Sequence, residues 1–147
     1  KLKNYSTTVP AERSMAAIEK LLASSGARTI IKQYHPNGYA NGLLFELDWK
    51  GKRVAFKLPA KIEACHRLLM EEVKRPQGGT YERKWEQASM ICWKILHEWM
   101  ANQLSLIQLG QASFQEIFLP YLYLPQHDKT LYEQIEEKRV EVLALKA

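Results

Sequence analysis

Few residues in this chain are of the kinds that build covalent or metal-linked sites. It has two cysteines, Cys65 and Cys92, which stand far apart and form no C-x-x-C pair. A thiol redox motif and a structural zinc site both need closely spaced cysteines or histidines, so the sequence predicts neither. We expect both thiols to be free, as in a protein of a reducing compartment.

The sequence also lacks a continuous apolar segment of about 18 residues, which a helix needs to cross a bilayer. Its first ten residues, KLKNYSTTVP, have no apolar core after the lysines and so do not resemble a secretory signal. From these two absences we expect a protein that does not associate with membranes and that is located in the cytoplasm.

Motifs that bind nucleotides or catalytic zinc are absent or incomplete. Neither G-x-x-x-x-G-K nor G-x-G-x-x-G occurs. The segment HEWMA begins like the zinc-protease motif H-E-x-x-H, whose two histidines reach one metal from one face of a helix. Ala101 stands where the second histidine is needed, so we interpret His97 and Glu98 as structural residues of a helix. No metal and no cofactor are expected.

The remaining histidines, His35, His66 and His127, show no spacing typical of a catalytic site. Cys65 adjoins His66, but neighbouring residues of a helix point about 100° apart, which disfavours a thiol and imidazole pair. Residues 78–80, Gly-Gly-Thr at a helix start, are a weak candidate for holding an anion. No catalytic residue is therefore assigned, and an enzyme is the interpretation favoured least.

What the chain does have is the composition of an ordinary folded domain. Of its 147 residues, 46% are hydrophobic and 25% are charged. A chain of this length can bury roughly 70% of its unfolded surface without a disulfide or a metal. We predict a single domain over residues 1–147, in which the linker RPQGG separates a lobe of residues 1–75 from a helical lobe of residues 80–147.

The first lobe has the pattern helix, three strands, helix. Apolar residues at helical spacing in MAAIEKLL, followed by Gly26, predict an amphipathic helix and its end. The segments ARTIIKQY, GLLFELDW and RVAFKLP alternate in polarity and are separated by the turns HPNG and KGK. They predict a three-stranded antiparallel meander. After Pro59 the segment AKIEACHRLLMEEVK returns to helical spacing.

The second lobe is predicted to be helical. A long central helix runs from about Tyr81 to Leu109, with Thr80 as its cap and Gly110 as its stop. Its apolar surface is wider than one stripe, so the sheet and other helices, or a second subunit, must cover it. Two matches to the capping box S/T-x-x-E predict shorter helices after Ser113 and Thr130. Together the lobes predict an α+β fold.

The candidate binding surface is a basic hairpin. Between residues 50 and 61 there are five positive side chains and no acid: Lys50, Lys52, Arg53, Lys57 and Lys61. Two further basic residues on the predicted first strand, Arg28 and Lys32, add to the same sheet edge. Such a surface favours a polyanion, nucleic acid above all. Lysines around a hairpin also keep an edge strand soluble, and that alternative stays open.

Three segments, ERSMAAIEKLLASSGA, FKLPAK and KILHEWMANQLSLIQLGQASFQEIFLPYL, resemble a family of small uncharacterised proteins of phages, prophages and bacteria. The shared pattern comprises Gly26-Ala27 after the first helix, Phe56 to Pro59 at the hairpin end, Trp93 to Trp99 on a helix, and Phe118 to Tyr121. It covers most of the chain. The resemblance implies a mobile-element context and transfers no catalytic residue.

Two functions follow as predictions. The first is a non-enzymatic phage or mobile-element accessory protein that binds nucleic acid, or a nucleoprotein complex, through the basic hairpin. The alternative is a protein-interaction or inhibitor module that acts through the apolar helix, as a homodimer or with another protein. Its contact residues would be Trp93, Trp99, Phe118 and Tyr121, since large aromatic side chains dominate such contacts.

Overall fold

A computed structural model describes residues 1–138, and in it the chain has an α+β fold. The predicted order of an N-terminal helix, a three-stranded antiparallel sheet, a long helix and further helices is confirmed. The elements are α1 (Ala11–Ser24), β1 (Thr29–Tyr34), β2 (Ala40–Trp49), β3 (Lys52–Pro59), α2 (Ile62–Glu71), α3 (Thr80–Gln108), α4 (Phe114–Phe118), a 3₁₀ turn (Leu119–Tyr121), β4 (Tyr123–Leu124), β5 (Lys129–Thr130) and α5 (Leu131–Glu137).

The sheet has the strand order β1-β2-β3, and its register decides which side chains reach the core. Phe45 lies opposite both Ile30 and Phe56, so these three residues share the inner face. Leu44 lies opposite Ile31 and Lys57 on the outer face. The β2–β3 connection is a two-residue turn at Lys50 and Gly51, both with positive φ, which suits the right-handed twist of a hairpin.

One hydrophobic core lies against the inner face and contains residues from both sides of the 75–79 linker. Helix α3 packs against α1 and α2, and its residues Ile91, Trp93 and Met100 are fully buried. Further apolar residues of α3, such as Trp85 and Leu104, are partly buried against the same core. Elements of the same chain thus cover part of the wide apolar surface of α3.

The helix ends follow the predicted signals with one correction. Gly26 and Gly110 take positive φ after α1 and α3, and both predicted capping boxes are present, Ser113 with Glu116 and Thr130 with Glu133. The predicted Thr80 cap is wrong by one residue, because the chain turns through a left-handed Gly79 and Thr80 begins the helix. The Thr80 hydroxyl instead accepts hydrogen bonds from the Gln77 backbone N–H and the Arg83 guanidinium.

The segment after α4 returns to the sheet. Leu122 forms a β-bridge with Phe56, at the edge of β3 that β2 leaves unpaired, and the Leu131 N–H donates to the Leu122 carbonyl at 2.7 Å. These bonds place the start of α5 beside β3.

No helix within residues 1–138 is both long enough and apolar enough to span a bilayer.

Candidate functional site

The seven basic residues of the predicted surface fall into three groups by their contacts. Arg28, just before β1, forms an ion pair with Asp48 at 3.6 Å, and Lys32 of β1 forms one with Glu19 of α1 at 3.2 Å. Lys32 lies opposite Leu43, on the side of the sheet that carries the core. Asp48 lies opposite Arg53, so Arg28 adjoins the hairpin, whereas Lys32 is engaged with α1.

The second group is the tip of the β2–β3 hairpin. Lys50, Lys52 and Arg53 are all exposed there. Within residues 1–138 their side chains make no ion pair. Three cations on a solvated turn attract polyanions at long range.

The third group, Lys57 and Lys61, lines a groove of about 840 Å³. Lys57 projects from the outer face of the sheet near the end of β3, and Lys61 immediately precedes α2. The opposite wall comes from α3, the 3₁₀ turn and the start of α5. We call this surface, from β3 to α5, the groove.

Three aromatic side chains line the groove with the two lysines: Trp99, Tyr121 and Tyr132. Trp99 packs edge-on against Tyr121, with ring centroids 5.8 Å apart, and both rings are only partly buried. Tyr132 is 55% exposed at the first turn of α5. The groove therefore presents ring surface and positive charge side by side.

The groove also holds one carboxylate, that of Glu133. Its oxygen Oε1 accepts the Thr130 backbone N–H at 2.9 Å, which completes the cap of α5. That hydrogen bond, the bond with the Thr130 side chain, and the charges of Lys57 and Lys61 all lower the pKa of Glu133. The carboxylate consequently stays ionised at neutral pH and offsets part of the positive charge of the groove.

The four residues predicted to contact a protein partner separate into two pairs. Trp93 and Phe118 have 0% exposed surface, so in this fold neither ring is available to a partner. The Trp93 indole N–H donates to the Ala40 carbonyl at 3.0 Å, and the Phe118 ring packs edge-on against Phe45. Trp99 and Tyr121, by contrast, line the groove. Burial of the first pair follows from the close approach of α3 and α4 to the inner sheet face.

The helix segment that begins like a zinc-protease motif has no second ligand. Glu98 accepts a hydrogen bond from the Asn4 amide and lies 4.0 Å from Lys3; the bond first, and the charge next, lower the pKa of Glu98. His97 has Ala101 one turn later. Within residues 1–138 no group of three His, Cys, Asp or Glu side chains is arranged to hold a metal ion.

Two histidines that are distant in sequence meet at Trp85, which the sequence did not indicate. His66 stacks on the Trp85 ring with centroids 4.2 Å apart, and the His35 ring lies 5.9 Å from it. His66 Nε2 bonds to the Tyr81 carbonyl at 3.1 Å, which makes that nitrogen the donor. His127 is exposed in the β4–β5 loop, away from this cluster.

His35 has both ring nitrogens occupied. Nδ1 accepts the Asn37 backbone N–H at 3.1 Å, and Nε2 lies 2.5 Å from Oε1 of Glu63. An imidazole that accepts at one nitrogen and donates at the other has no free nitrogen to take a proton from a substrate. The pair holds the β1–β2 turn against α2 and is not arranged as a general base.

The two cysteines, far apart in sequence, converge at the start of α2. The Cys65 backbone N–H and the Cys92 thiol both donate to the Lys61 carbonyl, at 3.2 and 3.6 Å. The interaction between the two thiols lowers the pKa of Cys65, and the same interaction together with burial raises the pKa of Cys92. Both cysteines are free, as expected, and Cys65 pairs with Cys92 rather than with the adjacent His66.

Comparison of the chain with protein-family models, with curated proteins and with solved structures gave no match.

Proposed function

We propose that this protein binds single-stranded nucleic acid, without enzymatic activity, in the groove between β3 and α5. The observation that carries the proposal is the presence of Lys57 and Lys61 together with three partly exposed aromatic rings in one concave surface. Proteins that bind single strands combine positive charge, which tracks the backbone, with aromatic side chains on which bases stack. The setting we propose is that of a phage or mobile-element accessory protein.

In this proposal Lys57 and Lys61 contact phosphates while Trp99, Tyr121 and Tyr132 contact bases. Each stacked base is worth about 1–3 kcal/mol when its aromatic partner is removed. Two phosphate contacts to a single strand predict that the logarithm of the affinity falls with the logarithm of salt concentration at a slope of about −1.4. The tip residues Lys50, Lys52 and Arg53 add long-range attraction only.

A single strand fits the groove better than a duplex does. In a duplex the bases are stacked on one another and present only their edges, so no ring face is free to meet Trp99 or Tyr132. The walls of the groove come from strands, helices and turns together. A duplex major groove, by contrast, usually takes in a single projecting helix.

The test is an anisotropy titration with a labelled oligothymidylate of about 15 nucleotides, the upper range of site sizes for single-strand binding folds. The variant Lys57→Gln/Lys61→Gln removes two charges from the groove. The matched control Lys50→Gln/Lys52→Gln removes the same charge from the hairpin tip. We expect the groove variant to bind at least tenfold more weakly and the tip variant to stay within about threefold of the unaltered protein.

Circular-dichroism melts will show whether each variant keeps its fold, which we expect because both pairs are at least partly exposed. Equal weakening by the two pairs would mean that net charge alone attracts the strand, and the groove would lose its role. An unaltered protein that does not bind the oligonucleotide at low salt would refute the proposed function itself. If the groove binds a protein rather than nucleic acid, we expect that binding to persist at high salt concentration.

A further inference from the structure

A second cavity adjoins the groove. It has a volume of about 290 Å³ and shares Asn41, Ala60 and Lys61 with the groove, so the two spaces meet at Lys61. Its other walls include Trp85 of α3 and Arg67 of α2. We call it the Trp85 cavity.

The Trp85 ring, which forms one wall of this cavity, is held in place by the buried His66. His66 is 6% exposed and stacks on Trp85 with an angle of 13° between the ring planes. Tyr81 packs edge-on against His66, with centroids 4.5 Å apart, and its carbonyl oxygen bonds to His66 Nε2. Tyr39 lies 6.1 Å from the Trp85 ring and also lines the cavity. A half-buried indole fixed in this way is a preformed stacking surface.

Two cations and one carboxylate line the cavity: Lys61, Arg67 and Glu63. Glu63 lies one helical turn before Arg67, the spacing at which such residues form an ion pair. The Glu63 carboxylate instead contacts His35 Nε2 at 2.5 Å. Within residues 1–138 neither Arg67 nor Lys61 has an ion-pair partner within 4.0 Å. Both side chains are therefore available to an anionic group.

A polar group capable of reading a base edge stands where the two spaces meet. The side-chain amide of Asn41 makes no hydrogen bond to any residue in the described part of the chain, although the Asn41 backbone carbonyl accepts the Ala60 N–H at 2.8 Å. A carboxamide offers a donor and an acceptor together. That combination matches the edge of a nucleobase.

We infer that the Trp85 cavity is a nucleotide pocket. A nucleobase lies against Trp85, its edge meets the Asn41 amide, and its phosphate lies between Lys61 and Arg67. This inference rests on the proposed function, because the nucleotide is one end of the strand that the groove holds: beyond Lys61 one base leaves the groove and enters the cavity. Neither the groove nor the hairpin requires this pocket in order to attract a strand.

The first test fills the cavity without removing any contact. Ala64 is exposed on α2 and lines the cavity, so Ala64→Met places a longer side chain inside it at little cost in helix propensity. The matched control is Ala16→Met, at an exposed position of α1. The probes are deoxyadenosine 5′-monophosphate and deoxyribose 5-phosphate, which has no base. Calorimetric titration measures the affinity of each probe.

We expect the unaltered protein and Ala16→Met to bind the nucleotide equally, and Ala64→Met to bind it at least tenfold more weakly. Deoxyribose 5-phosphate should bind at least tenfold more weakly than the nucleotide, since it cannot stack. Equal affinity for the two probes would overturn base recognition. Undiminished nucleotide binding by Ala64→Met would overturn the location of the pocket.

The second test separates this inference from the proposed function. If oligothymidylate binding depends on Lys57 and Lys61 and also weakens threefold or more in Ala64→Met, the pocket is part of the same site. If Ala64→Met binds the oligonucleotide as the unaltered protein does, the groove retains its role and the pocket inference is wrong. If only the mononucleotide binds, the cavity is not the end of a strand-binding groove, which also overturns the inference as stated.

Discussion

Replacing Trp93 by alanine should lower the free energy of unfolding by about 3–5 kcal/mol, the range for a buried aromatic side chain. The ring has no exposed surface, and its indole N–H donates to the Ala40 carbonyl at 3.0 Å. The substitution therefore leaves a cavity and removes a buried hydrogen bond. An acceptor left without its donor costs about 1–3 kcal/mol, which places the expected loss in the upper part of the range.

Two comparison variants divide this loss into its parts. Trp93→Phe keeps most of the ring and removes the N–H donor, so it should cost about 1–3 kcal/mol. Trp99→Ala should cost less than Trp93→Ala, because part of the Trp99 ring already meets solvent in the groove. The order of the three variants is as informative as their magnitudes.

Urea unfolding followed by circular dichroism measures these differences. With a slope of about 2 kcal/mol per molar, which is usual for a small domain, the loss in Trp93→Ala should move the urea midpoint down by about 2 M. A midpoint shift of only a few tenths of a molar, with an unchanged slope, would refute the burial of Trp93 between α3 and the sheet. If Trp93→Ala does not fold, Trp93→Phe still tests the bond to Ala40.

Three further outcomes follow from the contacts of single side chains. Glu133→Gln should tighten oligothymidylate binding roughly two- to fivefold, because it removes a negative charge beside the two lysines. Glutamine can still complete the cap at Thr130. Unchanged affinity would contradict a role for that carboxylate in binding. Folding lowers the pKa of Glu133, so the carboxylate stabilises the folded protein fully above its ordinary pKa of about 4.3. That stabilisation is lost as the pH falls through the pKa of Glu133 in the folded protein. The difference in unfolding free energy between the unaltered protein and Glu133→Gln should therefore narrow in acid. A gap in the urea midpoint that stays constant down to about pH 3 would show that the carboxylate is not held by the Thr130 N–H. His97→Ala and Glu98→Gln should leave the zinc content measured by elemental analysis and the oligothymidylate affinity unchanged, since Ala101 cannot supply a second ligand; loss of bound zinc in either variant would overturn this.

Local sequence signals predicted the elements well, because helices and strands depend on residues close together in the chain. The alternation of polarity in β2 and β3 predicted strands with one apolar face, and Phe45 and Phe56 lie on the inner face. Gly26, Gly110 and the two capping boxes predicted helix ends, since each satisfies backbone groups within a few residues of itself. The Thr80 cap was wrong because the left-handed glycine beside it moved the helix start by one residue.

The candidate sites depend on residues that the sequence separates widely. Lys57 and Tyr132 share the groove only because the bridge between Phe56 and Leu122 brings the start of α5 to the edge of β3. The spacing of residues along the sequence does not predict a bridge between such distant segments. In the same way, the ion pairs of Arg28 with Asp48 and of Lys32 with Glu19 join residues that are distant in sequence, and no local pattern indicates them.

The sequence by itself determined the α+β order of elements, their polarity and the run of basic residues between positions 50 and 61, all of which follow from local spacing and composition. Only the tertiary structure decided which charges stay free, which aromatic rings are buried, and that His35 and His66 meet at Trp85. The physical reason is that burial and ion pairing are set by packing between distant segments, and one bridge or helix contact decides them for several side chains together.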